Sequence, residues 1–176
     1  EVLALKATNA KSRWMDEFAG CSTAIEKCAA ALRSPHLSDA IDTYLRAFAT
    51  DLNAYYPGVN ALAMLQAQVA LAGVTPDEWT AFFDTDADAA TALERKKQLL
   101  ARVTATLALA LRVDDTLRSL DDGSLDPWSK ATRADLLMLT VSNKPQRVAN
   151  AYREALSGLD WFALEATRRN LAIFAE

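Results

Sequence analysis

The chain has 176 residues, of which 51% are hydrophobic and 24% are charged, and its formal net charge is −4. This composition is typical of a folded globular protein and argues against a disordered chain. A net negative chain also lacks the basic surface that sequence-independent binding of nucleic acid requires, and no apolar run approaches the roughly 18 residues of a membrane span. We therefore expect neither nucleic acid nor a membrane among its partners.

Apolar residues recur with helical period almost throughout, so we predict an all-α fold without a sheet. Pro76 and Pro127 stand where helices begin, and Thr75 with Glu78 has the pattern of a capping box. Because the connections are short, successive helices should pack as antiparallel hairpins. The predicted helices are about 2–19, 22–33, 38–52, 57–72, 76–83, 87–119, 127–141, 145–157 and 160–174.

Cys21 and Cys28 are the only cysteines, seven residues apart within one helical pattern, which predicts that they share one helical face. Two helical turns separate them by more than a disulfide can span, so we predict buried free thiols. Such thiols are typical of a reducing compartment, which predicts a cytoplasmic location. Since the chain begins at Glu1 without an initiator methionine, we expect a processed product or a piece excised from a longer protein.

Signals for catalysis are weak. The single histidine, His36, excludes every multi-histidine metal site, and its position after Pro35 predicts a loop residue. No glycine-rich phosphate cradle or nucleophile elbow is present. Residues 84–88 match the first positions of a calcium-binding EF-hand loop. Ala89 and Arg95 stand where that loop needs Gly and Glu, so we interpret the segment as an acidic first turn of the long helix. We predict no enzyme activity, no metal site and no cofactor.

Two segments repeat one pattern of a small, an aromatic and a small residue. In the second copy Val takes the first small position; the copies are Ala40-Tyr44-Ala47 and Val148-Tyr152-Ala155. This spacing is typical of the second helix of a tetratricopeptide repeat, where small residues let a neighbouring helix approach closely. We predict one domain over residues 1–176, in which antiparallel hairpins stack as a tetratricopeptide-like right-handed array of about eight or nine helices. An irregular helical bundle is the alternative.

The most specific segment is DLNAYYPGVNA at residues 51–61, preceded by SDAIDTYLRAFATD. With WSKATRADLLML at 128–139 and WFALEATRRNLAIF at 161–174, it resembles the TRAFs-binding, tetratricopeptide-like region of apoptosis signal-regulating MAP kinase kinase kinases and of bacterial signalling proteins. The resemblance covers about residues 38–174. Asp135 stands where the family has Glu, and residues 76–120 match no motif.

The resemblance implies a non-catalytic regulatory module that contacts a protein partner or a linked effector domain in stress or conflict signalling. An alternative implied by the bacterial relatives is a sensor that binds a nucleotide-derived small molecule. Its anionic ligand would lie in a groove between helices. Because basic residues outnumber acidic ones in residues 127–176 and acidic residues outnumber basic ones in residues 1–126, such a ligand should prefer the C-terminal third.

Polar and aromatic residues of the matching segments are the candidate binding residues. They are Tyr56, Asn60, Trp128, Thr132, Asp135, Trp161, Thr167, Arg168 and Asn170. Aromatic rings among them could stack on a base and Arg168 could meet a phosphate, but the same residues could instead serve the core and the helix ends. An enclosed pocket lined by them would favour a sensor, and an open apolar patch would favour a protein partner.

Overall fold

The structure is a computed structural model that describes residues 1–120, 127–141, 143–157 and 161–172. Over these residues the chain forms nine α-helices and no strand, which confirms the all-α prediction. The helices are α1 (Val2–Phe18), α2 (Ala24–Arg33), α3 (Pro35–Thr50), α4 (Tyr55–Val74), α5 (Pro76–Thr80), α6 (Asp86–Leu120), α7 (Pro127–Thr140), α8 (Pro145–Ala155) and α9 (Trp161–Ala172).

The helix containing His36 begins earlier than predicted. α3 starts at Pro35 instead of residue 38, because the Ser34 side chain caps it by accepting from the His36 backbone N–H at 3.2 Å. His36 is therefore helical, and its prediction as a loop residue is wrong. A proline in the first turn is favourable here, since its missing N–H would have no partner inside the helix.

The helix caps differ from the predicted ones at two places. The Thr75 hydroxyl donates to the Leu71 carbonyl at 2.8 Å and does not cap α5, so the predicted capping box with Glu78 does not form. A reciprocal capping box forms instead at the start of α2, between Thr23 and Glu26. The residue pattern is the same at both sites, but the Thr75 side chain is oriented toward the preceding helix, where its hydroxyl donates to the Leu71 carbonyl.

The acidic segment before α6 acts as a helix start, as predicted. The Asp88 backbone N–H donates to the Thr85 hydroxyl at 3.1 Å, and that hydroxyl donates to the Asp88 carboxylate at 2.7 Å. Among the described residues no group of three or more His, Cys, Asp or Glu side chains could hold a metal ion. The carboxylates of this segment thus lie at a helix N-terminus, where negative charge is stabilised by the helix dipole.

The cysteines do not lie in one helix. Cys21 precedes α2 and Cys28 lies within it, and both are partly exposed. The prediction of free thiols is confirmed. The prediction that both are buried on one helical face is wrong, because α2 begins only at its Thr23 cap.

Two compact units make up the chain, Glu1–Thr106 and Leu107–Glu176, and their boundary falls inside α6. We refer to them as unit 1 and unit 2 and describe each by itself. The single-domain prediction and the tetratricopeptide-like array both stay predictions.

In unit 1, α1 packs most extensively on α3, and α3 packs on α4. Thr8 contacts Tyr44 at 3.1 Å, whereas Glu17 contacts His36 at 3.6 Å, so residue numbers rise along α1 as they fall along α3. The two helices are therefore antiparallel. α1 also contacts α2, its neighbour in sequence, but less extensively. The antiparallel partner of α1 is thus the second helix after it in sequence.

The core of unit 1 lies between these helices and under α2. Its fully buried side chains on α3 and α4 are Leu37, Ile41, Tyr44, Leu62, Met64 and Leu65. A second cluster joins Leu32, Ala72, Trp79 and Ala89. The Trp79 indole N–H donates to the Ala89 carbonyl at 3.0 Å, which ties α5 to the first turn of α6. Burial of a tryptophan is stabilising when its N–H finds such a partner.

α4 is long and apolar enough, by length and composition, to cross a membrane, with a mean hydropathy of 1.2 over an 18-residue window. More than half of that window, 56%, is buried inside the protein. Buried polar residues on α4, Asn60 and Gln68, also face the interior of unit 1. The apolar character of α4 follows from its central place in the core.

Unit 2 is built on α7 and α8, which pack on each other. Buried Ala134, Tyr152 and Ala155 form its apolar cluster, against which Leu171 of α9 packs. Arg133 joins α7 to α6, since its guanidinium donates to the Asp115 carboxylate at 2.6 Å and to the Leu111 carbonyl at 2.7 Å. In the repeated small-aromatic-small motif, Ala40 and Tyr44 of the first copy and Tyr152 and Ala155 of the second are buried, whereas Ala47 and Val148 are partly buried.

Candidate functional site

A groove of about 520 Å³ runs between α1 and α3 in unit 1. We call it the α1–α3 groove; its lining residues are Lys6, Asn9, Ala10, Arg13, His36, Asp39, Asp42, Thr43 and Arg46. The residues contributed by α1 are spaced three, four and seven apart, so they share one helical face. The groove exists because α1 pairs with α3 and presents this polar face beside the polar face of α3.

The charges of the α1–α3 groove are not neutralised within the described part of the chain. There the side chains of Lys6, Arg13 and Arg46 make no hydrogen bond or ion pair, and the same holds for Asp39 and Asp42.

Ion pairs elsewhere in the chain show the contrast. Guanidinium and ammonium groups meet carboxylates at 3.4 Å, 2.7 Å, 2.6 Å and 2.7 Å; the pairs are Arg33–Glu78, Lys97–Glu94, Arg133–Asp115 and Arg168–Glu165. The α1–α3 groove is thus a concave surface with several charged groups of both signs available to a ligand.

Hydrogen bonds on the opposite face of α1 fix the geometry of the groove. The Thr8 hydroxyl hydrogen-bonds with the hydroxyls of Tyr44 and Tyr56, each at 3.1 Å, and the two tyrosine rings meet edge to face. Burial raises the pKa of the Tyr44 phenol well above its usual range, and the neighbouring Tyr56 raises it further. This phenol stays protonated at neutral pH and serves as a structural hydrogen-bonding group.

Asn60 is structural in the same way. It is 4% exposed, its side-chain oxygen accepts from Lys11 Nζ at 2.7 Å, and its amide nitrogen donates to the Tyr56 carbonyl at 2.9 Å. Lys11 is itself buried. Neither Asn60 nor Tyr56 lines the α1–α3 groove. Both predicted binding residues of unit 1 therefore link α1 to α4 through side-chain hydrogen bonds, from Thr8 to Tyr56 and from Lys11 to Asn60.

The predicted binding residues on α7 divide into one exposed ring and two internally bonded groups. Trp128 is 50% exposed. Buried Thr132 donates its hydroxyl to the Trp128 carbonyl at 2.9 Å, and the Asp135 carboxylate accepts from the Tyr152 hydroxyl at 2.5 Å. Burial, followed by the nearby Asp135 charge, raises the pKa of Tyr152 above its ordinary value. Thr132 and Asp135 thus bond within unit 2.

The predicted binding residues on α9 are also described in part. Trp161 is 75% exposed and Thr167 is buried. The exposed Arg168 donates to both oxygens of Glu165, at 2.7 and 2.8 Å, and this contact raises the pKa of the guanidinium. Asn170 lies in α9, but its side chain is outside the described residues. The prediction that the candidate residues Tyr56, Asn60, Trp128, Thr132 and Arg168 line one ligand site stays a prediction.

The groove residues were not among the sequence-based candidates. Lys6, Arg13, Asp39, Asp42 and Arg46 are ordinary charged residues on helix faces, and such faces are usually only solvated. The sequence feature that could identify them is their spacing, since they recur at helical intervals on α1 and on α3. Using that feature requires knowing that these two helices pair, whereas the predicted hairpins paired α1 with α2.

Comparison with known proteins gives no assignment, because no family model, no curated protein and no solved structure matches the chain.

Proposed function

We propose that this chain is a non-catalytic regulatory module that binds a segment of a partner protein in the α1–α3 groove. The observation that supports the proposal is the set of charged groups in a 520 Å³ groove that have no partner within the described chain. Charged groups on facing helices that remain unpaired can form their ion pairs with a ligand instead.

The character of the lining favours a protein segment over a nucleotide. Apart from the imidazole of His36, no ring lines the groove on which a base could stack. Asp39 and Asp42 would also repel a polyphosphate, whereas a protein segment can present both acidic and basic side chains. The groove is polar in most of its lining, which suits a reversible contact better than an obligate, apolar interface.

The proposed biological context is stress or conflict signalling, and the support for it is the resemblance of residues 38–174 to the TRAFs-binding, tetratricopeptide-like region. In that context the module would transmit binding to a partner or to a linked effector domain.

A selection from a library of displayed random peptides tests the proposal. We expect enriched segments that bind the wild-type chain and lose binding to the Lys6→Glu, Arg46→Glu variant. The matched control is Arg95→Glu, Arg102→Glu, which makes the same change in net charge on exposed residues of α6 outside the groove. Far-ultraviolet circular dichroism checks that both variants fold. Failure to enrich any segment, or equal binding by both variants, would refute the proposal.

A small anionic ligand is the second candidate function. Its support is that Lys6 and Arg46 line the same groove without partners in the described chain, and that the groove volume falls within the roughly 300–1,000 Å³ of small-molecule sites. This candidate predicts that free nucleotides stabilise the chain and that Lys6→Glu, Arg46→Glu abolishes the effect.

A further inference from the structure

The charges of the α1–α3 groove follow an order along its length. Since Thr8 lies opposite Tyr44 and Glu17 opposite His36, the antiparallel register places Lys6 opposite Arg46. Two positively charged residues thus lie opposite each other at one end of the groove. Asp42 lies one helical turn from Arg46, toward the middle of the groove.

These groups are available to a ligand. Like charges that face each other are unfavourable unless a negative group lies between them. Asp42 and Arg46 have the four-residue spacing that permits an ion pair on a helix, yet in the described chain neither of them pairs. An anion between Lys6 and Arg46 and a cation beside Asp42 would supply the opposite charges that these three groups lack, while the same register places the remaining charges of the groove, Arg13 and Asp39, opposite each other.

The spacing of the two subsites matches an extended peptide. Four residues of helix advance about 6 Å along the axis, which is the separation of Arg46 and Asp42 along α3. In an extended segment, side chains two positions apart point to the same side and are separated by about 6.6 Å. Neighbouring side chains point to opposite sides, so only alternate residues could reach both subsites.

We propose that Lys6 and Arg46 bind the carboxylate of an acidic residue in an extended protein segment, and that Asp42 binds a basic residue two positions away in that segment. This inference rests on the proposed function, because it names the ligand class of the same groove. The ligand is therefore defined by an acidic and a basic residue separated by one residue of any type.

Nuclear magnetic resonance titration of the full chain with blocked heptapeptides tests the pattern. The probes are acetyl-AAEAKAA-amide, its adjacent-charge isomer acetyl-AAEKAAA-amide, and two single-charge peptides, acetyl-AAEAQAA-amide and acetyl-AAQAKAA-amide. We expect acetyl-AAEAKAA-amide to shift the amide signals of α1 and α3 and to bind about fivefold more tightly than each of the others, as expected for one exposed ion pair lost.

Substitutions at one subsite at a time assign the role of each. Asp42→Asn should remove the preference for Lys over Gln and keep the preference for Glu over Gln. The Lys6→Gln, Arg46→Gln double variant should remove the preference for Glu over Gln and keep the preference for Lys over Gln. A structural role alone would lower the affinities of all peptides together, and that result would overturn the assignment. Arg95→Gln, on α6, is the control that should leave every preference unchanged.

The remaining outcomes separate this inference from the function on which it rests. If inorganic phosphate alone produces the same shifts with equal affinity, the site binds free anions and the inference is wrong. If the heptapeptides bind without preference while the displayed library still yields groove-dependent segments, the charge pattern is wrong but the proposed function stands. If neither the heptapeptides nor the library gives binding, both proposals fall.

Discussion

Asn60→Ala tests whether a residue predicted to contact ligand instead holds unit 1 together. The substitution removes the hydrogen bond from Lys11 Nζ at 2.7 Å and the bond to the Tyr56 carbonyl at 2.9 Å. A hydrogen bond to a charged group contributes about 1.5–3 kcal/mol and a neutral one about 0.5–1.5 kcal/mol. Because Lys11 makes a further interaction, its ammonium is not left without a partner. We therefore expect a loss of about 2–4 kcal/mol in the free energy of unfolding.

Urea unfolding followed by tryptophan fluorescence measures this loss selectively in unit 1. Trp14 and Trp79 are 3% and 7% exposed, so unfolding transfers both rings from the core to water. Trp128 and Trp161, in unit 2, are already 50% and 75% exposed and should change emission little. With a urea dependence of about 2 kcal/mol per molar, the midpoint should fall by about 1–2 M at unchanged slope.

The control is Asn9→Ala, at an exposed position of α1 that lines the groove and makes no hydrogen bond in the described chain. Its effect should stay within about 0.5 kcal/mol. A midpoint for Asn60→Ala that equals the wild-type value would refute our reasoning about the Lys11–Asn60 contact. If the same variant kept its stability but lost a response to ligand, Asn60 would be a binding residue, as the sequence predicted.

Further predictions concern buried rings and the second candidate function. Burial raises the pKa of Tyr44 and Tyr152 in the folded protein, so the unfolded chain loses these protons at lower pH than the folded chain does. The free energy of unfolding should therefore decrease as pH rises above about 10. Chemical unfolding of a variant with Phe at both positions should show a smaller decrease. Trp79→Phe removes the hydrogen bond from the indole N–H to the Ala89 carbonyl and part of the buried ring surface, and should cost about 1–3 kcal/mol in urea unfolding. A nucleotide at about 100 times its dissociation constant would stabilise by about 2.7 kcal/mol. In thermal denaturation with ADP-ribose, NAD and cyclic dinucleotides we expect no such shift, and Arg168→Ala should leave the melting temperature unchanged.

Helix positions could be predicted from sequence because local interactions decide them. Pro76, Pro127 and Pro145 each stand at the first residue of a helix, where a missing backbone N–H costs nothing. Caps were less predictable, since Thr23 and Thr75 have the same local pattern and only the first forms a capping box. The carbonyl that receives the Thr75 hydroxyl belongs to a helix end whose position depends on packing in the core.

The candidate site could not be predicted in the same way, because it depends on which helices pair. Asn60 and Thr132 are predicted binding residues because they are polar residues of the segments that carry the resemblance, and both are buried and hydrogen-bonded within their own units. Nothing in the sequence distinguishes Lys6 and Arg46 from other surface residues, since charged residues on a helix face are usually solvated. They become a candidate site only when the antiparallel register of α1 and α3 brings them to the same end of a groove.

Buried polar residues and exposed charged residues therefore differ in how readily they can bind a ligand in this chain. A polar group in the core is stabilised by a partner within the protein, because leaving it unpaired away from water costs about 1–3 kcal/mol. Asn60 and Tyr152 have such partners, and a ligand could recruit them only by breaking the bonds that hold their units together. An exposed charge costs little when unpaired, so Lys6, Asp42 and Arg46 can remain available without destabilising the fold. A ligand gains most from such groups where two helices place them around one concavity, which is the arrangement of the α1–α3 groove.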